Sequence, residues 1–267
     1  MFANALEAVK DIRDGSTVLI GGFGCAGVPE SLCLALSQTK VGNLTLVSND
    51  CGLVDFGLGL LVNNHQVKRI TCSYLGENHD VEQKFLNGEI EIELVPQGTL
   101  IEKCRAGGAG IPAFYTRTGV DTMVETGGIP IKLGKYGWPT LMSTKKTRAH
   151  FDGKTYIRES AIVGDVALVK AWKADEAGNL IFRKAARNFN PNLAESARLC
   201  IAEVDEILPL GSIDPDHVHL PGVYVKRLVK AEVNEHKIEK LTITDLQSKC
   251  NGSSVSAVRE KIAKRAA

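Results

Sequence analysis

Between residues 17 and 106 one pattern repeats four times: a short strand-like run, a loop, then a helix-like segment. The runs are Thr17–Ile20, Leu44–Val47, Val67–Cys72 and Glu89–Val95. Helical segments follow from Pro29, at 56–62, at 79–87 and at 98–106. Thr17–Ile20 is almost wholly apolar, which suits a strand buried on both faces. Glu89–Val95 alternates acid with apolar residue, which suits a half-exposed strand. A short amphipathic helix is expected over 3–12, where Ala5, Leu6, Val9 and Ile12 recur at helical spacing. Strands that alternate with helices admit few arrangements, and the leading one is a parallel sheet with crossover helices on its faces. The expected fold is therefore α/β: a three-layer α/β/α sandwich around a mostly parallel sheet.

The remainder reads differently. Residues 107–139 hold eight glycines and three prolines. They read as an ordered loop region, long enough to be functional. From 148 the pattern becomes strand-rich: 149–151, 156–158, 161–172, a turn at 174–179, and 180–182. A helix is expected near 190–198, then strands at 200–207 and 223–229. Lys249 to Ser256 is rich in Ser and Gly, like a linker. A basic helix is expected from Val258 to Ala267, ending without a cap. The domains expected are thus 1–246, a linker at 247–257, and the truncated start of a further module at 258–267.

Composition excludes several classes. With 32 basic and 31 acidic residues the net charge is +1, so no chain-wide field favours nucleic acid or an anionic membrane. No apolar run reaches 18 residues, as a membrane-spanning helix needs. The first fifteen residues resemble neither a signal nor a transit peptide. Seven scattered cysteines show no CxxC pair and no His at zinc spacing, the pattern of a reduced chain with small buried thiols. His217-Val218-His219 reads as a polar loop before Pro221 rather than a metal site.

Gly21, Gly22, Phe23, Gly24 and Gly27 lie in the loop after the first strand. Gly22, Gly24 and Gly27 match GxGxxG, and Asp50 follows the second strand. That is the dinucleotide fingerprint in outline. Pro29 argues against it, because it places the helix start at 28–29 and leaves Gly27 in the loop. A tight turn needing left-handed backbone, or a loop lining an acyl-transfer site, are the other readings.

The segment Asp14 to Pro29, DGSTVLIGGFGCAGVP, resembles the first signature of the 3-oxoacid CoA-transferases of family I. So do NNHQVKR at 63–69, SYLGEN at 73–78, PQGTL at 96–100, RAGGAGIPAFYT at 105–116 and ALVKAWKAD at 167–175. The resemblance covers nearly all of 4–243 and is to the family's α half. The tail from the linker onward resembles the junction of its fused eukaryotic form.

The resemblance implies transfer of CoA between succinyl-CoA and a 3-oxo acid, acetoacetate, in ketone-body metabolism. It implies a glutamate nucleophile in a Ser-Glu-Asn-Gly motif of the β half, and this chain has no such motif. It assigns the amide of Gln97 to the oxyanion hole. Gly21–Gly27 and Gly107, Gly108, Ala109 and Gly110 would wall the acyl pocket. No metal and no bound cofactor are implied, CoA thioester being a substrate. The partners implied are a β half, acyl-CoA and 3-oxo acid, in a homo- or hetero-oligomer, with neither nucleic acid nor membrane. The fused form implies the mitochondrial matrix; otherwise the location is cytoplasmic. Where the family more often has Asn-Ala, this chain has Asp50-Cys51, and the resemblance gives neither residue a role. Glu77-Asn78 lacks the glycine of the nucleophile motif and reads as a helix-entry pair. Two other classes stand beside this one: a non-catalytic half that only binds a partner, and a nucleotide-binding dehydrogenase domain.

Overall fold

The structure, a computed structural model, describes residues 1–237 and Arg265. The linker expected at 247–257 and the basic helix expected from Val258 lie outside the described residues, Arg265 apart.

The repeat resolves as expected. Strands β1 (Thr17–Ile20), β2 (Leu44–Val47), β3 (Val67–Cys72) and β4 (Glu91–Leu94) alternate with helices α2 (Glu30–Ser37), α3 (Leu58–Asn63) and α4 (His79–Leu86). Helix α1 (Ala5–Val9) precedes them, and the Asn4 side chain caps it by accepting the Glu7 N–H. Helix α5 (Gln97–Gly108) follows β4. Later come α7 (Asn190–Glu195) and the strands β10 (Gly164–Asp175), β11 (Leu180–Ile181), β12 (Ala197–Leu208) and β13 (Val225–Lys230).

Among the described residues the main sheet has eight strands, ordered β13-β12-β10-β1-β2-β3-β4, with β11 paired to β10. Every neighbouring pair along that path is parallel, and only β10–β11 is antiparallel. Two cores fill the faces. One joins Val18, Ile20, Leu46, Ile70 and Leu168 to α1, α2, α3 and α4. The other joins Leu19, Val47, Ala167, Val169 and Ala202 to α5 and α7. Adjacent strand residues face opposite layers, so each strand must be apolar throughout. This is the three-layer sandwich.

From β1 the chain steps strand by strand toward β4. It returns over the second face to β10, on the other side of β1, and steps outward to β13. The order reverses between β1 and β10, where doubly wound sheets open a crevice at their carboxyl ends.

The expectation for 107–139 needs revision. The helix there runs on through Gly107 and Gly108, and β5 (Ala113–Thr116), α6 (Met123–Thr126) and β6 (Pro130–Leu133) follow. Strands β7 (Pro139–Met142), β8 (Arg148–Phe151) and β9 (Lys154–Ser160) complete a small antiparallel unit, with sheets β5-β9-β8 and β6-β7. These strands are short and mostly half-exposed, so they carry little apolar patterning.

Candidate active site

Four loops meet beyond the carboxyl ends of β1 to β4, and hydrogen bonds tie them together. The chain of contacts starts at Gln97, the first residue of α5, directly after β4. Its Nε2 donates to Asn49 Oδ1 at 2.7 Å. Asn49 Nδ2 in turn donates to Asp50 Oδ2 at 2.9 Å. The same oxygen accepts the backbone N–H of Gly24 at 2.8 Å, and Oδ1 accepts that of Gly52 at 3.0 Å. One carboxylate thus links the loops after β1, β2 and β4. Asp50 also bridges to Tyr74 of the loop after β3. Asn78 supports the cluster from that loop: its Nδ2 donates to the Cys51 carbonyl at 3.0 Å, and its Oδ1 caps α4.

These side chains differ in access. Asn49 and Asp50 are buried, whereas Gln97 is exposed. A carboxamide has two N–H groups, and Asn49 takes one from Gln97. The other is available to an acceptor at the open edge. Asp50 is not available as a nucleophile, because its oxygens already carry three N–H bonds. The Cys51 thiol donates to Cys72 Sγ at 3.6 Å; that bond, and then burial, push its pKa well above the ordinary thiol value. It packs rather than reacts.

The glycine loop is held from both sides. Gly22, Gly24 and Gly27 have φ of 128°, 55° and 72°, which L side chains rarely adopt. A Cβ on Gly21 would fall 1.8 Å from Asn190 Oδ1. Asn190, fully buried at the start of α7, accepts the Lys170 N–H at 2.9 Å and donates to the carbonyls of Gly27 (2.9 Å) and Ala186 (3.0 Å). Nothing in the sequence pattern pointed to Asn190. Its usable signal is a lone polar residue at the start of a helix whose other inward positions are apolar.

Phe23, Gly24 and Gly27 line one wall of a cleft of about 460 Å³ whose other wall is Arg183 to Ala186. Gly21 and Gly22 line a narrow crevice against Ser48, Asp50 and Phe56. Gly107, Gly108, Ala109 and Gly110 are not brought to either place. They lie at the far end of α5, about 15 Å from Gln97 at 1.5 Å per residue. There Gly107 and Gly108 allow close packing: a Cβ would fall 1.9 Å from the Ile162 carbonyl oxygen and 2.9 Å from Glu195.

The dinucleotide geometry fails on two counts. Asp50, the acid that should reach a ribose, is engaged by Gly24, Gly52 and Asn49. The start of α2, where a pyrophosphate should sit, is covered by residues 232–236. Glu30 accepts the N–H groups of Glu235 (2.8 Å) and His236 (3.0 Å), and Ser31 Oγ accepts those of Glu232 and Val233 (both 3.0 Å).

His219 has a structural use: its Nδ1 accepts the Phe182 N–H at 3.0 Å, its ring stacks on Phe182, and burial lowers its pKa. Among the described residues no three His, Cys, Asp or Glu side chains stand close enough to hold a metal ion. No helix among the described residues is long and apolar enough to cross a membrane.

Comparison with known proteins agrees with this edge geometry. The coenzyme A transferase family profile matches residues 2–231. Human mitochondrial succinyl-CoA:3-ketoacid coenzyme A transferase 2 is 49% identical over 266 residues, covering 100% of this chain and 51% of that protein. The chain therefore spans about half the length of that relative. In Bacillus subtilis, one of the two probable succinyl-CoA:3-ketoacid coenzyme A transferase chains, the α type, is 49% identical over 249 residues, 93% of this chain and 97% of the relative. Among solved structures, an acyl-CoA transferase from E. coli O157:H7 superposes with a TM-score of 0.72 at 23% identity, over 85% of this chain and 46% of the other. Glutaconate coenzyme A-transferase from Acidaminococcus fermentans gives 0.68 at 20% identity, over 85% and 74%. At those identities the structures speak for the fold, and the profile and the curated relatives speak for the kinship: this chain belongs to the coenzyme A transferase family.

Proposed function

We propose that this chain is the α half of a CoA-transferase that exchanges CoA between succinyl-CoA and a 3-oxo acid such as acetoacetate. A β half, as a separate polypeptide or a fused module, supplies the attacking glutamate. The observation that carries the reading is Gln97: an exposed neutral amide at a strand's carboxyl end, held by a buried partner, with an N–H to spare. The names of relatives that match this chain end to end, and the lack of a Ser-Glu-Asn-Gly motif here, support the division of labour.

The chemistry is ping-pong acyl transfer. The glutamate carboxylate attacks the thioester carbonyl, and negative charge collects on its oxygen. Expulsion of CoA thiolate leaves an acyl–glutamyl anhydride. The thiolate then attacks the glutamyl carbonyl, releasing succinate and leaving glutamyl-CoA. Acetoacetate reverses the sequence and departs as acetoacetyl-CoA. Each covalent step replaces one hard displacement by two easier ones. Gln97 would donate to the oxyanion. A neutral amide suits that place, because a lysine would bind the nucleophilic carboxylate as an ion pair. The cleft beside Phe23, Gly24 and Gly27 supplies space next to the loop. Neither a metal nor a bound cofactor enters this scheme. A mitochondrial location follows the human relative, and a cytoplasmic one the bacterial relatives.

The test is complementation. The chain mixed with a β half is assayed for acetoacetyl-CoA formed from succinyl-CoA and acetoacetate. Activity is expected with the β half and none without it; turnover by the chain alone would overturn the reading. Removing an oxyanion donor typically costs about 10²–10³-fold in kcat, and Gln97→Ala should cost that much without disturbing assembly.

A further inference from the structure

We propose that Asp50 is a positioning residue: through Asn49 it fixes the side-chain amide of Gln97, so that the N–H donor stands at one place on the open edge. The inference rests on the reading of Gln97 above.

The argument is one of forced polarity. An ionised carboxylate only accepts hydrogen bonds. Asp50 Oδ2 therefore obliges Asn49 to turn its NH₂ inward, at 2.9 Å. The Asn49 carbonyl oxygen then faces outward, toward Gln97. Gln97 must meet it with NH₂, at 2.7 Å; a flipped amide would set carbonyl against carbonyl. Without this relay an exposed glutamine has three rotatable bonds and two amide orientations. With it, the donor has one position before substrate arrives, which is what stabilisation of developing charge requires.

Asp50 is itself fixed. The N–H groups of Gly24 and Gly52 hold its two oxygens at 2.8 and 3.0 Å, and it is 8% exposed. An asparagine at position 50 would keep the relay, since its single oxygen in the place of Oδ2 still accepts from Asn49 and Gly24. An alanine would break it.

The experiment uses the complex of the full chain with a β half. Substitutions one step behind a reacting group typically cost about 10–100-fold, and Asp50→Ala should lower kcat by that order while KM for succinyl-CoA stays within about twofold. Asp50→Asn should retain kcat within about threefold by the same reasoning. In a Gln97→Ala background Asp50→Ala should add nothing, because residues that act as a unit are not additive. A second readout is the side-chain amide ¹⁵N signal of Gln97, which should be a single ordered resonance in the parent complex and mobile in Asp50→Ala. Additive losses in the double variant, or an unchanged Gln97 amide in Asp50→Ala, would overturn the proposal. If Gln97→Ala itself left turnover intact, the oxyanion reading would fail, and the amide signal would still decide whether Asp50 sets the orientation.

Discussion

At the scale of single residues, much of the glycine loop's shape rests on Asn190. Its one carboxamide satisfies the Lys170 N–H and two carbonyls of separate loops. Asn190→Ala would leave these groups unpaired in a dry place. Each orphaned group costs about 1–3 kcal/mol, so the whole change should destabilise by roughly 2–4 kcal/mol, read as a lower urea midpoint. Gly21→Ala acts on the same amide, since its Cβ would collide with Asn190 Oδ1. In an Asn190→Ala background it should cost little, and a full additional loss there would refute the shared cause. Burial likewise governs the thiols. It pushes Cys104 and Cys200 up to about 12. Both should resist iodoacetamide at pH 8 until the chain unfolds, which peptide mass mapping reads directly.

At the scale of elements, what the sequence revealed depended on how each element is buried. Strands β1 and β2, and the first half of β10, lie between two helical layers, so their apolar runs announced them. Helix α2 announced its start through Pro29. The antiparallel unit of 113–160 gave no such sign, because its strands pair at long range and face solvent. Gly107 and Gly108 read as loop because glycine is a poor helix former, yet close packing against Ile162 and Glu195 selects it there. The candidate site was partly legible: Gln97 stood out by its place after a strand, while Asn49 and Asp50 gain meaning only once the loops converge.

The antiparallel unit has its own electrostatic pin. Arg148 donates to Glu125 at 2.5 and 2.8 Å and to Asp121 at 2.5 Å, and Glu125 also accepts the Asp121 N–H at 2.8 Å. The Arg148 hydrogen bonds lead in lowering the Glu125 carboxyl from 4.5 to about 2. A carboxyl lowered in the folded state stabilises above its unfolded pKa, and that contribution is lost as pH falls through the folded one. Acid should therefore weaken the unit between about pH 4.5 and 2. Glu125→Gln should lower the thermal midpoint at pH 7, and the gap from the parent should close as pH approaches 2. A gap that stayed constant with pH would remove the charge from the explanation.

At the scale of the whole molecule, the reversal between β1 and β10 divides the sheet's carboxyl edge in two. On the β1–β4 side the loops converge on Asp50 and Gln97. On the other side Lys170 Nζ meets Glu203 at 3.0 Å, Asp205 at 2.8 Å and Asn234 at 2.6 Å. Burial raises the Glu203 carboxyl despite the nearby Lys170, so this cluster costs desolvation and depends on complete pairing. Residues 232–236 complete it. They bring Asn234 to Lys170, cover Glu30 and Ser31 at the start of α2, and place Glu232 to accept the Ala5 N–H at 2.9 Å. The family profile ends at residue 231, which would suggest that a chain stopped at Lys230 keeps its fold intact. The hydrogen bonds argue otherwise. Net worth per bond is about 0.5–1.5 kcal/mol, and more for charged groups, so losing these contacts together should cost roughly 3–6 kcal/mol. A chain ended at Lys230 should therefore unfold at a clearly lower urea concentration than one ended at Lys237. Lys170→Met with Glu203→Leu, which replaces the buried charges by apolar groups of similar size, should narrow that difference. Equal midpoints for the two lengths would mean that the segment after β13 rests on the molecule without closing it.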